Sequence, residues 1–305
     1  GLAWRVAKTP IFYHESIECT GVVPGHYAMV PTEGWKKRER PVFGIVTDQY
    51  EPLQNTEAFA FFDPLVADGR AAYETAGALG QGERVWILAR LKDSIRIGKN
   101  GSEDEVRQYL LLSNSHDGKS SVQIKFTPIR VVCNNTLTMA LSQGEAVHID
   151  HAPDLRERIA AARTLFAHVV SVYRRIDEQF NRLAVVPVVE KRLDTYLSGV
   201  FPDPTPPEPG KPSQRYEYHR LRARRDRHCC NVLFDRWRNR LHGTDGTLWA
   251  AYNSVTEYVD HRHAVGNNRA LNPSSRLQSM WFGNGCATKI RAFDVAMTFA
   301  QEWRK

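Results

Sequence analysis

Arg84-Val85-Trp86-Ile87-Leu88-Ala89-Arg90-Leu91-Lys92 is the stretch on which the fold turns. Val85, Ile87, Ala89 and Leu91 recur at period two, the mark of a strand with one face against a core. Two further β-rich runs, 106–113 and 122–132, follow it, divided by Gly, Asn and Asp. Asp117-Gly118 between them is a favoured hairpin dipeptide, so the three runs read as an antiparallel meander. Upstream, residues 41–50 read as a short strand that ends before Pro52. Asn55 then caps a helix begun by Glu57, Ala58, Phe59 and Phe62. Downstream, Asn134, Asn135 or Thr136 caps a short helix carrying Leu137, Met139, Ala140 and Leu141.

Past Gly144 the apolar spacing becomes helical. Leu155, Ile159, Ala162, Phe166, Val169, Val170, Tyr173, Ile176 and Phe180 keep a three-to-four rhythm and predict one long helix over 153–183. A shorter helix over 188–199 precedes six prolines in eleven residues (202–212), which neither a helix nor a central strand accommodates. Helices are predicted again over 213–241, 246–262 and 284–303. The fold class is therefore α+β: an N-terminal antiparallel meander flanked by helices, a β-β-β-α-like core, followed by a mainly helical C-terminal half. The corresponding domains are a core over 1–150, a helical segment packing on it over 151–201, a proline-rich linker over 202–212 and a helical region over 213–305.

At 305 residues and 42% apolar content the chain has the composition of a soluble globular protein. It contains no run of 18 apolar residues, so no membrane partner is expected, and its start lacks the pattern of a secretion signal. Secretion is not expected. The five cysteines (Cys19, Cys133, Cys229, Cys230, Cys286) form no CxxC pair and read as reduced and structural. A first residue of Gly in place of Met predicts that an upstream segment is missing.

Charge is unevenly placed. Residues 211–242 hold ten basic side chains, nine of them Arg, against Glu217, Asp226 and Asp235, an excess equal to the whole chain's +7. A second basic group, Lys36-Lys37-Arg38 with Arg40, adjoins Trp35. Such a segment suits a polyanion-seeking surface, and equally a solvated helix face, since Arg is a good helix former. The even positions of the first β-run, Arg84, Trp86, Arg90 and Lys92, make a basic face with an aromatic ring in it. That pattern fits single-stranded nucleic acid, whose phosphates meet cations while bases stack. Lys125 and Arg130 on the third run extend it, although Pro128 disturbs the alternation there.

Other chemistries find less support. Gly118-Lys119-Ser120 imitates the end of a phosphate-binding loop, but position 113 is Ser where that loop needs Gly. His148, Asp150 and His151, or Asp260, His261 and His263, carry metal-ligating groups at awkward spacing, and a structural role suits them better. GxSxG and HExxH are absent, and no cofactor is expected.

Tyr50-Glu51-Pro52-Leu53-Gln54-Asn55, Glu74-Thr75-Ala76-Gly77, Ser115-His116-Asp117-Gly118, Pro128-Ile129-Arg130-Val131-Val132-Cys133-Asn134-Asn135-Thr136-Leu137 and Thr256-Glu257-Tyr258-Val259-Asp260-His261 resemble, in order, the phage/plasmid-like family built on domain of unknown function 932. The resemblance implies carriage on phages, plasmids or integrated elements and a cytoplasmic setting in a bacterial host. It implies no established reaction and no catalytic residues. The family's upstream Trp-His-Gly segment is absent, in keeping with a shortened start. The outline is also similar to phage single-strand annealing proteins, by topological analogy.

Together these readings give a non-enzymatic nucleic-acid-binding protein, with single-stranded DNA favoured, active in annealing, recombination or replication and assembling with copies of itself. Its contacts would be Arg84, Trp86, Arg90, Lys125 and Arg130 in a groove, and Arg220, Arg222, Arg224 and Arg227 on a second surface. The alternatives are a metal-dependent nuclease or hydrolase using His148, Asp150 and His151, and a factor that docks on host defence proteins through the 202–212 arm.

Overall fold

Trp4, Val6, Met29, Phe43, Val46 and Tyr50 exclude water together with Val85, and the first strands form around them. A computed structural model of the chain describes every residue except 16–19, 37–38, 99–103, 131–134, 137–146, 209–212, 237–243, 263–272 and 304–305. β1 (Val6–His14) pairs antiparallel with β2 (Thr20–Pro31), and β2 with β3 (Gly44–Thr47). Gly44 opens β3 directly against the Asp117 turn. A Cβ on Gly44 would collide with the Asp117 carbonyl, so only glycine fits there.

After α1 (Asn55–Phe59), a 3₁₀ turn (Ala60–Phe62) and α2 (Asp63–Ala67) come β4 (Ala71–Leu79), β5 (Arg84–Arg96), β6 (Glu105–Ser115) and β7 (Val122–Phe126). Three short strands follow: β8 (Ile129–Arg130), β9 (Asn135–Thr136) and β10 (Val147–Ile149). Their sheet runs β10-β7-β6-β5-β4, with β8 paired to β6 and β9. The expected meander is β5, β6 and β7, and its turn has Gly118 at φ +71°, in the left-handed region that glycine tolerates.

One addition alters the reading of β5. β4 pairs with it antiparallel, Tyr73 opposite Ala89 and Gly77 opposite Trp86, so β5 has a neighbour on each edge. From Arg84 to Ala89 both of its faces are buried. The Trp86 indole covers Gly77, where a Cβ would come within 2.7 Å of the ring.

The Tyr50–Asn55 and Ser115–Gly118 motifs brace this part of the chain from within. Asn55 Nδ2 donates to the carbonyls of Leu2 (2.9 Å) and Trp4 (3.2 Å), which leaves Oδ1 to accept from His116 Nε2 at 2.8 Å. That arrangement sets the His116 tautomer. Tyr50 OH donates to the Ser115 carbonyl at 2.8 Å, and Asp117 Oδ1 accepts from Ser115 Oγ at 2.6 Å and from the Lys119 N–H at 2.8 Å.

The helices are α3 (Leu155–Ala162), α4 (Leu165–Ala184), α5 (Glu190–Val200), α6 (Gln214–Phe234), α7 (Leu248–Glu257), a π-turn (Tyr258–Arg262), α8 (Pro273–Phe282) and α9 (Asn284–Glu302). The single helix expected over 153–183 is two. Thr164 Oγ1 donates to the Ala161 carbonyl at 2.8 Å and the Phe166 N–H to that of Arg163 at 3.0 Å, tightening the turn. Phe166 is thereby set edge-on to Phe61, ring centroids 5.1 Å apart. α6 stops at Phe234, short of the expected 241, and α8 was not anticipated. The short helix expected at 137–141 lies outside the described residues.

The chain divides into two compact units: 1–92 with 108–127 and 141–170, and 93–107 with 128–140 and 171–305. In the second, every residue of α7 is buried. Thr247 caps it, and Phe180, Trp249, Tyr252 and Phe293 form an aromatic cluster around it. Among the described residues no helix is long and apolar enough to cross a membrane.

Candidate nucleic-acid interface

Arg130 corrects the groove expected on the sheet. Its side chain is fully buried, with Nε and NH2 donating to Asp104 Oδ1 (2.7 Å) and Oδ2 (2.6 Å). Trp249 Nε1 donates to the same carboxylate at 2.7 Å, and the guanidinium stands 5.6 Å from the Trp249 ring centroid. A bidentate pair closed on both sides has nothing left for a phosphate. Arg84 is buried too and donates to Ser120 Oγ, and burial lowers its pKa against the pull of Asp117 and Glu83. Trp86 is buried over Gly77, which removes the ring on which bases were to stack. Arg90 is exposed but paired with Glu74 at 3.0 Å, and Lys125 is half-buried. Arg84, Trp86, Arg90, Lys125 and Arg130 therefore share no open face.

Cations also serve the interior elsewhere in the second unit. Lys289 Nζ meets Asp260 Oδ1 at 2.8 Å with both side chains fully buried, and Arg276 donates to the Asp260 carbonyl at 2.8 Å. Tyr258 OH donates to Asp226 at 2.6 Å, and burial with that carboxylate holds the phenol protonated. Glu257 is buried 3.8 Å from Arg236. The Thr256–His261 motif thus turns its carboxylates and phenol inward and leaves only His261 exposed.

α6 differs. Ser213 caps it, accepting from the Tyr216 N–H at 3.2 Å, and only Ala223, Asp226, Cys230 and Leu233 are buried along its 21 residues. That seam is one narrow stripe, so the rest of the helix faces solvent. Arg220 pairs with Glu217 at 2.9 Å and Arg225 with Asp226 at 3.0 Å, while Arg222 is 3.8 Å from Asp226. Arg215 and Arg224 form no ion pair among the described residues. Arg227 is the exception to the expected surface. Its guanidinium donates to Asp203 at 2.8 Å and to the Phe201 carbonyl at 2.9 Å, clamping the start of the proline-rich segment.

One exposed side of α6 carries a group that the expected site did not include. Tyr218, 62% exposed, has Arg215 three residues before it and Arg222 and Arg225 four and seven after. At helical spacing these four side chains are neighbours. The spacing is visible in the sequence once 215–225 is read as a helix with a single-sided seam.

Beside this face lies a cavity of about 330 Å³. Phe201, Pro202 and Pro204 form one wall, His219, Arg222, Ala223 and Asp226 of α6 a second, and Asn284, Gly285, Thr288 and Arg291 of α9 a third, with Val259 of the π-turn. No local motif announces it, because its walls come from four separate segments.

Among the described residues no three His, Cys, Asp or Glu side chains converge as metal ligands. His148 is exposed on β10 near Ser121, whereas His151 is buried, its Nδ1–H donating to the Glu51 carbonyl at 2.9 Å and its ring stacked on Tyr50. Burial lowers the pKa of both imidazoles, with Lys125 adding to the effect at His148. Asp150 is exposed. Asp260 is taken by Lys289, and His263 lies outside the described residues.

The chain is an α+β protein with closed cation–carboxylate pairs in its interior and an arginine-bearing helix, α6, that is open to solvent along most of its length. It belongs to the family described as a domain of unknown function (DUF932), which matches residues 42–281. No curated protein and no solved structure matches it. The match takes in α6 and α7, while the β1–β2 hairpin and α9 fall outside it.

Proposed function

We propose that the chain binds nucleic acid through the outer face of α6, as a non-enzymatic factor of a phage, plasmid or integrated element. The observation that carries the reading is Tyr218 held in the open among Arg215, Arg222 and Arg225. A ring flanked by guanidinium groups suits a single strand, whose bases stack while its phosphates are neutralised. The Arg225–Asp226 contact does not oppose this, since the Arg225 side chain remains 62% exposed and its guanidinium can meet a phosphate from the solvent side. Phosphate contacts alone carry no sequence information, so recognition is of strand and charge more than of base order.

Filter binding of single- and double-stranded oligonucleotides across a salt series tests it. Retention should fall linearly in log affinity with log salt, and each Arg→Ala change at 222 or 225 should reduce the single-strand slope by about 0.7. Tyr218→Ala should weaken single-strand binding by about 1–3 kcal/mol per stacked base and leave duplex binding unchanged. No retention at low salt rejects the proposal.

A further inference from the structure

We infer that the cavity between α6, α9 and the Phe201–Pro204 segment is a pocket for one nucleotide, its phosphate on the cationic walls and its base on the Phe201 side. The inference deepens the nucleic-acid reading and rests on it for the class of ligand, but the pocket stands on its own geometry. At about 330 Å³ it lies at the small end of the range for ligand pockets, about 300–1,000 Å³, room for a single nucleotide unit and not for a duplex.

The lining divides by chemistry. Arg222, Arg291 and His219 supply cations or N–H donors from two helices. Asp226 is the one carboxylate in the wall, and it is engaged by Tyr258 OH at 2.6 Å and by Arg225 at 3.0 Å, with Arg222 at 3.8 Å. The wall is accordingly positive, and planar guanidinium groups match a phosphate better than any neutral ligand. Arg291 is fixed by one of its amino groups, which donates to the Val200 carbonyl at 3.1 Å, so its reach is preset.

The Phe201–Pro204 wall is apolar. Phe201, set edge-on to Tyr258 with ring centroids 6.1 Å apart, and the rings of Pro202 and Pro204 offer a surface for a base. Arg227 holds that wall in place through Asp203 and the Phe201 carbonyl. Cations and a fixed apolar wall lining one small cavity are what would distinguish a nucleotide from free phosphate or a bare nucleoside.

Calorimetric titration of the full chain with dAMP, deoxyadenosine and inorganic phosphate at low salt tests the inference. A 5′-phosphorylated oligonucleotide as competitor separates a strand end from a free nucleotide as the source of the phosphate. dAMP should bind at least about tenfold more tightly than either fragment. Arg291→Met should weaken dAMP by about tenfold or more, the scale of one charge-assisted contact. Should Arg291→Met fail to fold, Thr288→Leu, which fills the cavity from a half-exposed position, should abolish dAMP binding with the thermal midpoint retained.

Equal affinity for dAMP and deoxyadenosine, no dAMP binding, or undiminished binding in folded Thr288→Leu would overturn the pocket. Arg215, on the Tyr218 face and outside the cavity lining, separates the two readings. Arg215→Glu should weaken oligonucleotide retention and leave dAMP untouched. A chain that retains oligonucleotides but not dAMP refutes the pocket alone, and one that takes dAMP but retains no oligonucleotide refutes the α6 surface alone.

Discussion

Lowering the pH from about 7 to about 5 loads a proton onto His116 in the unfolded chain but not in the folded one, and the resulting loss of stability can be worked from the structure. The imidazole lies against the Trp4 and Phe43 rings, its Nε2–H donates to Asn55 Oδ1, and Nδ1 meets no hydrogen-bond partner. A proton on Nδ1 would be a charge in an apolar enclosure. Burial first, and the neighbouring His151 second, push the pKa from 6.5 down to about 3. Because the folded value is the lower one, the unfolded chain binds more protons below pH 6.5. The contribution is therefore whole above about pH 6.5 and is lost as the pH falls toward about 3.

Between those values the slope is about 1.4 kcal/mol per pH unit, which integrates to about 2 kcal/mol from pH 7 to pH 5. His116→Gln is the matched perturbation, since its amide nitrogen still donates to Asn55 but cannot titrate. Urea unfolding of both proteins at the two pH values, with hydrogen exchange at residues 50–55 and 115–118 as the local readout, measures the difference. The native chain should lose about 2 kcal/mol more than the variant, the remaining histidines being common to both. The same pH dependence in the two proteins would refute a neutral, enclosed His116.

Arg130→Met should destabilise the chain by about 3–5 kcal/mol in thermal unfolding, because the buried Asp104 loses both hydrogen bonds from the guanidinium and its counter-charge. Adding Asp104→Leu should restore most of that loss, as an apolar pair of similar size often serves as well. Lys289→Met should likewise lower the thermal midpoint, and Asp260→Asn on top of it should recover part by removing the stranded charge. Gly44→Ala should cost about 1–3 kcal/mol, with faster hydrogen exchange in β3, since the new methyl group meets the Asp117 carbonyl and backbone must move.

The central meander was legible because Val85, Ile87, Ala89 and Leu91 alternate and Asp117-Gly118 carries its own turn chemistry. β4 was not, for an equally physical reason. Residues 72–76 are exposed on an edge strand that is buried at Ala71 and Leu79, so no apolar alternation marks it. Without β4, β5 looked like a strand with one wet face, and Arg84 and Trp86 looked outward. Periodicity counts apolar side chains and is blind to an arginine whose stem packs inside and whose head finds a hydroxyl. The outer half of the β1–β2 hairpin escaped in the same way, since it is largely exposed on both faces. At Arg130 alternation stops informing after Pro128, and its partner Asp104 lies 26 residues away, beyond any local pattern.

A charge count cannot separate interior cations from surface ones, but the cost of burial can. The closed pairs, Arg130 with Asp104 and Lys289 with Asp260, each cancel one cation against one anion and lie outside 211–242, so neither draws on that segment's surplus. A surplus cation drawn inside without a partner would cost several kcal/mol, which a marginally stable fold does not tolerate. On α6, Arg215, Arg220, Arg222, Arg224 and Arg225 do stand at the surface, while Arg227 and Arg236 reach acids outside the segment, Asp203 and Glu257. Of the four buried positions of α6 three are small or apolar and the fourth, Asp226, is an acid that receives arginines from the rim. Exposed arginines on this helix follow from electrostatics alone. What electrostatics does not require is an exposed tyrosine among them, or a cavity with two of the chain's guanidinium groups in its wall. Those two features make a polyanion a more specific reading of α6 than solvent.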